Sequence, residues 1–184
     1  MKTHQMNLQK RYFDYICNGT KRIELRLNDE KRQKIQIGDI IEFSTDDFDW
    51  CNKQVVALYR AKSFEELFKD FDISILADKS MTKEELLSEL GKFYTKEKQE
   101  KYGVVGIRID DAKCPKCGEK LAPWVFGMPT SITFEKADRK EVMLGGCEVF
   151  GNEPSWHCFK CNHDFDEDFN DLGETEVEED FEEL

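Results

Sequence analysis

Apolar and polar residues keep a two-residue rhythm at both ends of the first 110 positions and a helical rhythm between them. His4, Met6 and Leu8 alternate with polar neighbours, which predicts an opening strand. Lys10–Cys17 places Tyr12, Phe13, Ile16 and Cys17 on one helical face, and Asn18-Gly19 supplies the stop. Over Arg22–Leu27, Ile23, Leu25 and Leu27 alternate with Arg22, Glu24 and Arg26, the period of a half-buried strand. Ile35–Phe43 reads as a strand pair around the turn residues Gly38-Asp39, and Gln54–Tyr59 is rich in strand formers. Ser63-Phe-Glu-Glu66 fits a helix capping box, with Phe64, Leu67, Phe68 and Phe71 behind it at helical spacing. Thr82-Lys-Glu-Glu85 fits a second, followed by Leu86, Leu87, Leu90 and Phe93. Gly103–Ile109 predicts a closing strand. This order points to an α+β fold, a small curled sheet or barrel with helices packed outside it.

Composition divides the 184 residues further. Residues 1–110 hold seven of the fourteen Phe and two of the seven Cys; residues 111–163 hold five Cys and all four Pro. Lys plus Arg balance Asp plus Glu at 20 each in the first segment and at 7 each in the second. Residues 164–184 carry no basic and 12 acidic residues, so the whole net charge of −12 lies there. The expected organisation is a domain over 1–110, a cysteine module over 111–163 and an acidic, disordered tail over 164–184. A neutral body does not exclude an anionic ligand. No apolar run approaches the ~18 residues of a membrane span, and the N-terminal residues lack a signal-peptide core. The expected location is the cytoplasm, where cysteines read as thiols or metal ligands before disulfides.

Candidate chemistry concentrates at Gly19-Thr-Lys-Arg-Ile-Glu-Leu-Arg26. On a strand, Glu24 and Arg26 share a face, and Lys21 stands at its entrance after a glycine turn. Together the three suit an anion or the polar edge of a base, and with a lowered lysine pKa they suit acid/base work. Six basic residues against three acidic ones over 21–34 give that stretch a local charge of +3. The competing reading is a solvated strand face with surface ion pairs worth about 0–1 kcal/mol each. Tyr59, Arg60 and Lys62 extend the candidate patch, the ring to stack on a base and the cations to hold phosphate. Tyr59 also fits a half-buried barrel position.

The pattern Gly19-x-Lys21-x-x-Glu24-x-Arg26 resembles the signature of the ASCH domain family. The resemblance extends through Lys34-x-x-x-Gly38-Asp39, Leu58-Tyr59-Arg60, Ser63-Phe-Glu-Glu-Leu67 and Tyr102-Gly-Val-Val-Gly-Ile107, over most of residues 4–109. It implies a PUA-like β-barrel with flanking helices and a cleft lined by Lys21, Glu24 and Arg26. It also implies that RNA or a nucleotide is the ligand. One branch of the family hydrolyses acylated nucleosides, which would make Lys21 and Glu24 catalytic. That branch has Thr where this chain has Glu24, and an acid where this chain has Lys79; Asp78 is the nearest acid here.

Cys114-Pro-Lys-Cys117-Gly and Cys158-Phe-Lys-Cys161-Asn are two C-x2-C pairs separated by 40 residues. Each sets two thiolates at a tight turn, and two such pairs suit one structural Zn²⁺ with four sulfur ligands. Gly118 and Asn162 follow at positions where such a turn calls for positive φ. Strands are expected between the pairs. The stretch 114–163, with Phe126-Gly-Met-Pro129 and Leu144-Gly-Gly-Cys147, resembles small bacterial zinc-ribbon proteins, which implies a β-rich zinc ribbon. Cys147 reads as a buried apolar residue, with an alternative role as ligand. His157 and His163 read as near-surface residues that could also replace a ligand or bond to a sulfur. Cys17 reads as core, and Cys51 has no assigned role. The acidic tail, with its sparse Phe and Leu, reads as solubilising; a sharper idea is a nucleic-acid mimic that competes for the basic stretch. Three functions stay open: binding of RNA or a nucleotide, an amidohydrolase-type enzyme on a modified nucleoside, and a protein-interaction adaptor through ribbon and tail.

Overall fold

A computed structural model describes residues 1–47, 49–78 and 80–174. The chain divides into two units, Met1–Asp111 and the part from Ala112 onward.

The first unit runs β1 (Thr3–Asn7), α1 (Lys10–Cys17), β2 (Ile23–Leu27), β3 (Ile40–Ser44), β4 (Trp50–Ala61), α2 (Phe64–Leu67), α3 (Ile73–Leu76), α4 (Lys83–Gly91), α5 (Lys96–Tyr102) and β5 (Val104–Asp110). The strands form one curled sheet, a half-barrel, in the order β1-β3-β4-β5-β2. β1 runs parallel to β3 and the other pairs are antiparallel. β2 lies against β5 with Glu24 opposite Ile107 and Arg26 opposite Val105. One apolar cluster packs α1, through Phe13 and Ile16, on Ile41, Phe43, Val55, Val105, Ile107 and Ile109. A second packs Ile23, Leu25 and Leu27 against the helical segment, through Phe64, Leu67, Phe68, Leu76 and Leu86. Both faces of β2 are therefore covered, where its alternation alone predicted one solvated face.

Local chemistry explains the helix starts. Thr82 and Glu85 form a complete capping box at α4. At α2 only half of one forms: Ser63 accepts from the Glu66 N–H, while the Glu66 carboxylate accepts from the Lys62 N–H. The strand predicted at 35–37 is absent; a short 3₁₀ turn over Arg32–Lys34 precedes it and pairing begins at Ile40. Gly38 takes φ +97°, the turn conformation its residue type favours. Cys17 packs against the core as its helical face predicts, and it forms a disulfide with Cys51, Cα atoms 6.4 Å apart, which corrects the reading of these cysteines as thiols and gives the unassigned Cys51 a partner. The two are 34 residues apart, at the end of α1 and the start of β4, so nothing local in the sequence couples them.

The second unit is β-rich: β6 (Ala122–Val125), α6 (Ser131–Asp138), β7 (Met143–Leu144), β8 (Trp156–Cys158), β9 (His163–Phe165) and β10 (Asp171–Glu174), with sheet order β10-β9-β8-β6-β7. The helix α6, capped by Thr130, interrupts the strands expected between the cysteine pairs. Residues 164–174, expected within a disordered tail, are folded here: Phe165 is fully buried and β10 pairs with β9. The remaining tail, 175–184, lies outside the described residues, and most of the mimic idea falls there. Cys147 is exposed, not buried. His157 is only 1% exposed, not near the surface, because the imidazole meets Asp164 Oδ1 at 2.9 Å and Phe159 edge-on. Among the described residues, no helix is long and apolar enough to cross a membrane.

Candidate functional site

Lys21 and Glu24 are each 4% exposed, so the solvated-face reading fails for them. The turn after α1 sets Lys21 in place: Gly19 adopts φ +78°, and the Lys21 N–H donates to the Tyr15 carbonyl at 2.8 Å. The Lys21 Nζ lies 3.3 Å from Glu24 Oε2, donates to the Leu76 carbonyl at 3.1 Å and sits 5.4 Å from the centre of the Tyr12 ring. Arg26 Nε lies 2.8 Å from Glu24 Oε1. The guanidinium also donates to the Asn7 carbonyl at 3.2 Å and to the Tyr94 hydroxyl at 3.4 Å. One carboxylate therefore serves two cations.

The environment tunes each group. Burial pushes the Lys21 pKa down, and Arg26 adds to that, against the opposing pull of Glu24. Burial alone would raise Glu24, but Lys21 and Arg26 outweigh it and hold the carboxyl below its usual range. Burial works to lower Arg26, and Glu24 more than offsets it. With all three charged, the cluster carries a net +1.

This cluster forms part of the wall of a cavity of about 340 Å³. Leu8, Leu86, Leu90, Tyr12, Tyr94 and Phe93 give it apolar and aromatic surface, and Glu89 adds one acid. The Tyr12 hydroxyl donates to Glu89; burial and that bond push the phenol up to about 12, so it stays protonated and neutral at ordinary pH. A small cavity with aromatic walls and a few convergent polar groups suits one flat heterocycle better than a polymer backbone.

The other predicted site residues lie elsewhere. Tyr59 packs its ring on Phe71 at 4.7 Å and does not line this cavity; nor do Arg60 and Lys62. Lys62 borders a separate hollow near α5. Of the basic stretch, Lys21 and Arg26 enter the site, and Arg32 instead pairs with Asp29 at 3.1 Å. Asp78 accepts from the Tyr15 hydroxyl at 2.6 Å, outside the cavity wall. Tyr12, Glu89, Phe93 and Tyr94 come to the site through α1 and the end of α4, and no motif in the sequence marks them.

In the second unit, the Sγ atoms of Cys114, Cys117, Cys158 and Cys161 all lie within 4.8 Å of one another. Cys114 and Cys161 are 3.7 Å apart, and Cys117 and Cys158 are 3.5 Å apart. A tetrahedral metal with sulfur at about 2.3 Å needs sulfur–sulfur edges of about 3.8 Å. These separations fit that cage. Gly118 and Asn162 have φ +73° and +50°, as the turns require. The second pair occupies the turn between β8 and β9, and the first sits inside the Lys113–Lys120 bridge. Four thiols this close do not all ionise unaided: burial and its sulfur neighbours push Cys161 up to about 12. Cys158, despite burial, is drawn down to about 7 by the N–H groups of Cys161 and Lys160. A cation removes that conflict. His157 and His163 are occupied by Asp164 and Asp171, each at 2.9 Å, and are not in the cage.

Comparison with known proteins bears on the first unit. The ASCH domain family model matches residues 6–113. No curated protein matches the chain. The crystal structure of hypothetical protein PH0355 is similar, at 36% identity and a TM-score of 0.54, over 60% of this chain and 98% of its own. The solution structure of protein PF0455 from Pyrococcus furiosus is 33% identical, with a TM-score of 0.49, over 59% of this chain and 96% of its own. With more than half its length matched, this chain belongs to the ASCH domain family.

Proposed function

We propose that the ASCH domain binds RNA or a nucleotide by taking one base into the cavity over Lys21, Glu24 and Arg26. The carrying observation is the buried carboxylate shared by two cations in the wall of an aromatic cavity of about 340 Å³. The Lys21 and Arg26 cations favour a ligand with carbonyl or phosphate oxygens, and Tyr12 and Tyr94 supply aromatic surface for a ring. The family to which the chain belongs is associated with RNA binding, which supports the polymer. Fluorescence anisotropy of short single-stranded RNA at low salt tests this. Binding should weaken with added salt and fall at least tenfold in Lys21→Met, after circular dichroism has confirmed that the variant folds. Equal binding by wild type and variant, or none by either, contradicts it.

One observation favours an amidohydrolase reading. Lys21 has a lowered pKa beside Glu24, the pairing that acid/base work needs. Release of the acyl group from an acylated nucleoside, lost in Lys21→Met, is its test.

For the second unit, the reading is a zinc ribbon: one structural Zn²⁺ held by Cys114, Cys117, Cys158 and Cys161. Four thiolates leave no open position, so the ion organises the fold and takes no substrate. Metal analysis of protein grown without chelator should give one zinc per chain. A cytoplasmic protein-interaction adaptor acting through the ribbon and the tail is the third reading, tested for the tail by deletion of residues 175–184.

A further inference from the structure

Phe93 belongs, by spacing, to the buried side of α4. It stands three residues after Leu90 and seven after Leu86. The structure puts it elsewhere. The helix stops at Gly91, and the chain tightens, with the Phe93 and Tyr94 N–H groups both donating to the Leu90 carbonyl. Tyr94 turns inward, packs on Phe64 at 5.6 Å and meets Arg26. Phe93 lines the same cavity but remains 58% exposed, the most exposed aromatic side chain among the described residues of the first unit. Tyr59, the other exposed ring there, has a face covered by Phe71.

Burying a Phe side chain stabilises a fold, and this residue forgoes much of that gain. An uncovered ring beside a cavity sized for one base is placed to stack on a second base. In a single strand, the nucleotide next to an inserted base must emerge at the cavity mouth. A free nucleoside or mononucleotide has nothing to put there.

We propose that Phe93 is a stacking platform for the base adjacent to the inserted one. The site then selects single-stranded RNA of at least two nucleotides over a mononucleotide. This rests on the reading of the cavity as a base site, and it names the ligand class of that site.

The test compares wild type, Phe93→Ala and Phe93→Trp in the full chain. The probes are a trinucleotide RNA pool of mixed sequence and the four ribonucleoside 5′-monophosphates. Stacking on a protein aromatic is worth about 1–3 kcal/mol per base, roughly 5- to 150-fold in affinity. Phe93→Ala should weaken trinucleotide binding within that range, and at least fivefold more than it weakens mononucleotide binding. Phe93→Trp should keep trinucleotide affinity. Equal losses for both probes in Phe93→Ala would make Phe93 a cavity wall and nothing more, and overturn the proposal. No loss for either would overturn it as well. If wild type binds neither probe, the base-cavity reading itself fails and takes this proposal with it.

Discussion

Glu24 keeps its charge only because Lys21 and Arg26 flank it, and each of those cations is held by Glu24 in turn. Removing one partner of a buried ion pair typically costs about 3–5 kcal/mol, because the remaining charges stay buried without compensation. Glu24→Gln, which leaves two cations side by side, should destabilise the first unit by roughly that amount, read by urea unfolding. The pH dependence follows in sign. The folded-state pKa of Glu24 lies below its unfolded value, so its contribution is present above the unfolded value and is lost as pH falls through the folded one. Wild type should lose stability in acid more steeply than Glu24→Gln. Tyr12 works at the other end. Its folded-state pKa is raised to about 12 by burial and Glu89, so its contribution is full below about pH 10 and is lost as pH approaches 12. The stability difference between wild type and Tyr12→Phe should shrink over that interval. At this scale the sequence announced Lys21, Glu24 and Arg26 through strand alternation and motif spacing. It could not announce Tyr12, Glu89 or Tyr94, because only the packing of α1 and α4 beside β2 brings them to the same cavity.

The elements carry two further expectations. The Cys17–Cys51 bond ties the end of α1, whose Tyr12 lines the cavity, to β4. Closing a loop of 34 residues restricts the unfolded chain, and the chain-entropy relation gives about 4 kcal/mol for it. Cys17→Ser should lower the unfolding midpoint of the first unit; an unchanged midpoint under oxidising conditions would show that the bond does not form. In the second unit, a Cβ on Gly145 would come within 2.2 Å of the Phe126 ring, which itself stacks on Trp124. Gly145→Ala should therefore displace Phe126 and destabilise this unit by about 1–3 kcal/mol, read as a loss of near-ultraviolet signal from Trp124. Periodicity found β1, α1, β2, β5 and α4 because each carries its apolar residues at regular spacing, although β2 and β5 are buried on both faces. It missed α5 and α6, whose apolar residues are too few to set a helical rhythm. It also missed the fate of Phe93, since a pattern does not show where a helix stops.

The whole molecule joins two units of different construction: one rests on an apolar core over residues 1–111, and the other gathers four of its five cysteines around a single point. A unit of that size has a small core, and metal binding then becomes part of its folding energy. A strong chelator should unfold the second unit while the signals of the first persist; loss of both together would contradict separate cores. The cysteine spacing made this second unit legible from the sequence. Composition misled at its end, because Asp164 and Phe165 belong to the strand that follows Cys161 despite the acidic run they open. The central claim concerns where a ligand sits. It is tested most directly by amide and side-chain chemical shifts of the full chain during titration with short single-stranded RNA. Shifts centred on Lys21, Glu24, Arg26, Tyr94 and Phe93 are the predicted result. Shifts confined to the second unit, or to the Tyr59 and Arg60 stretch with the cavity unmoved, would contradict it.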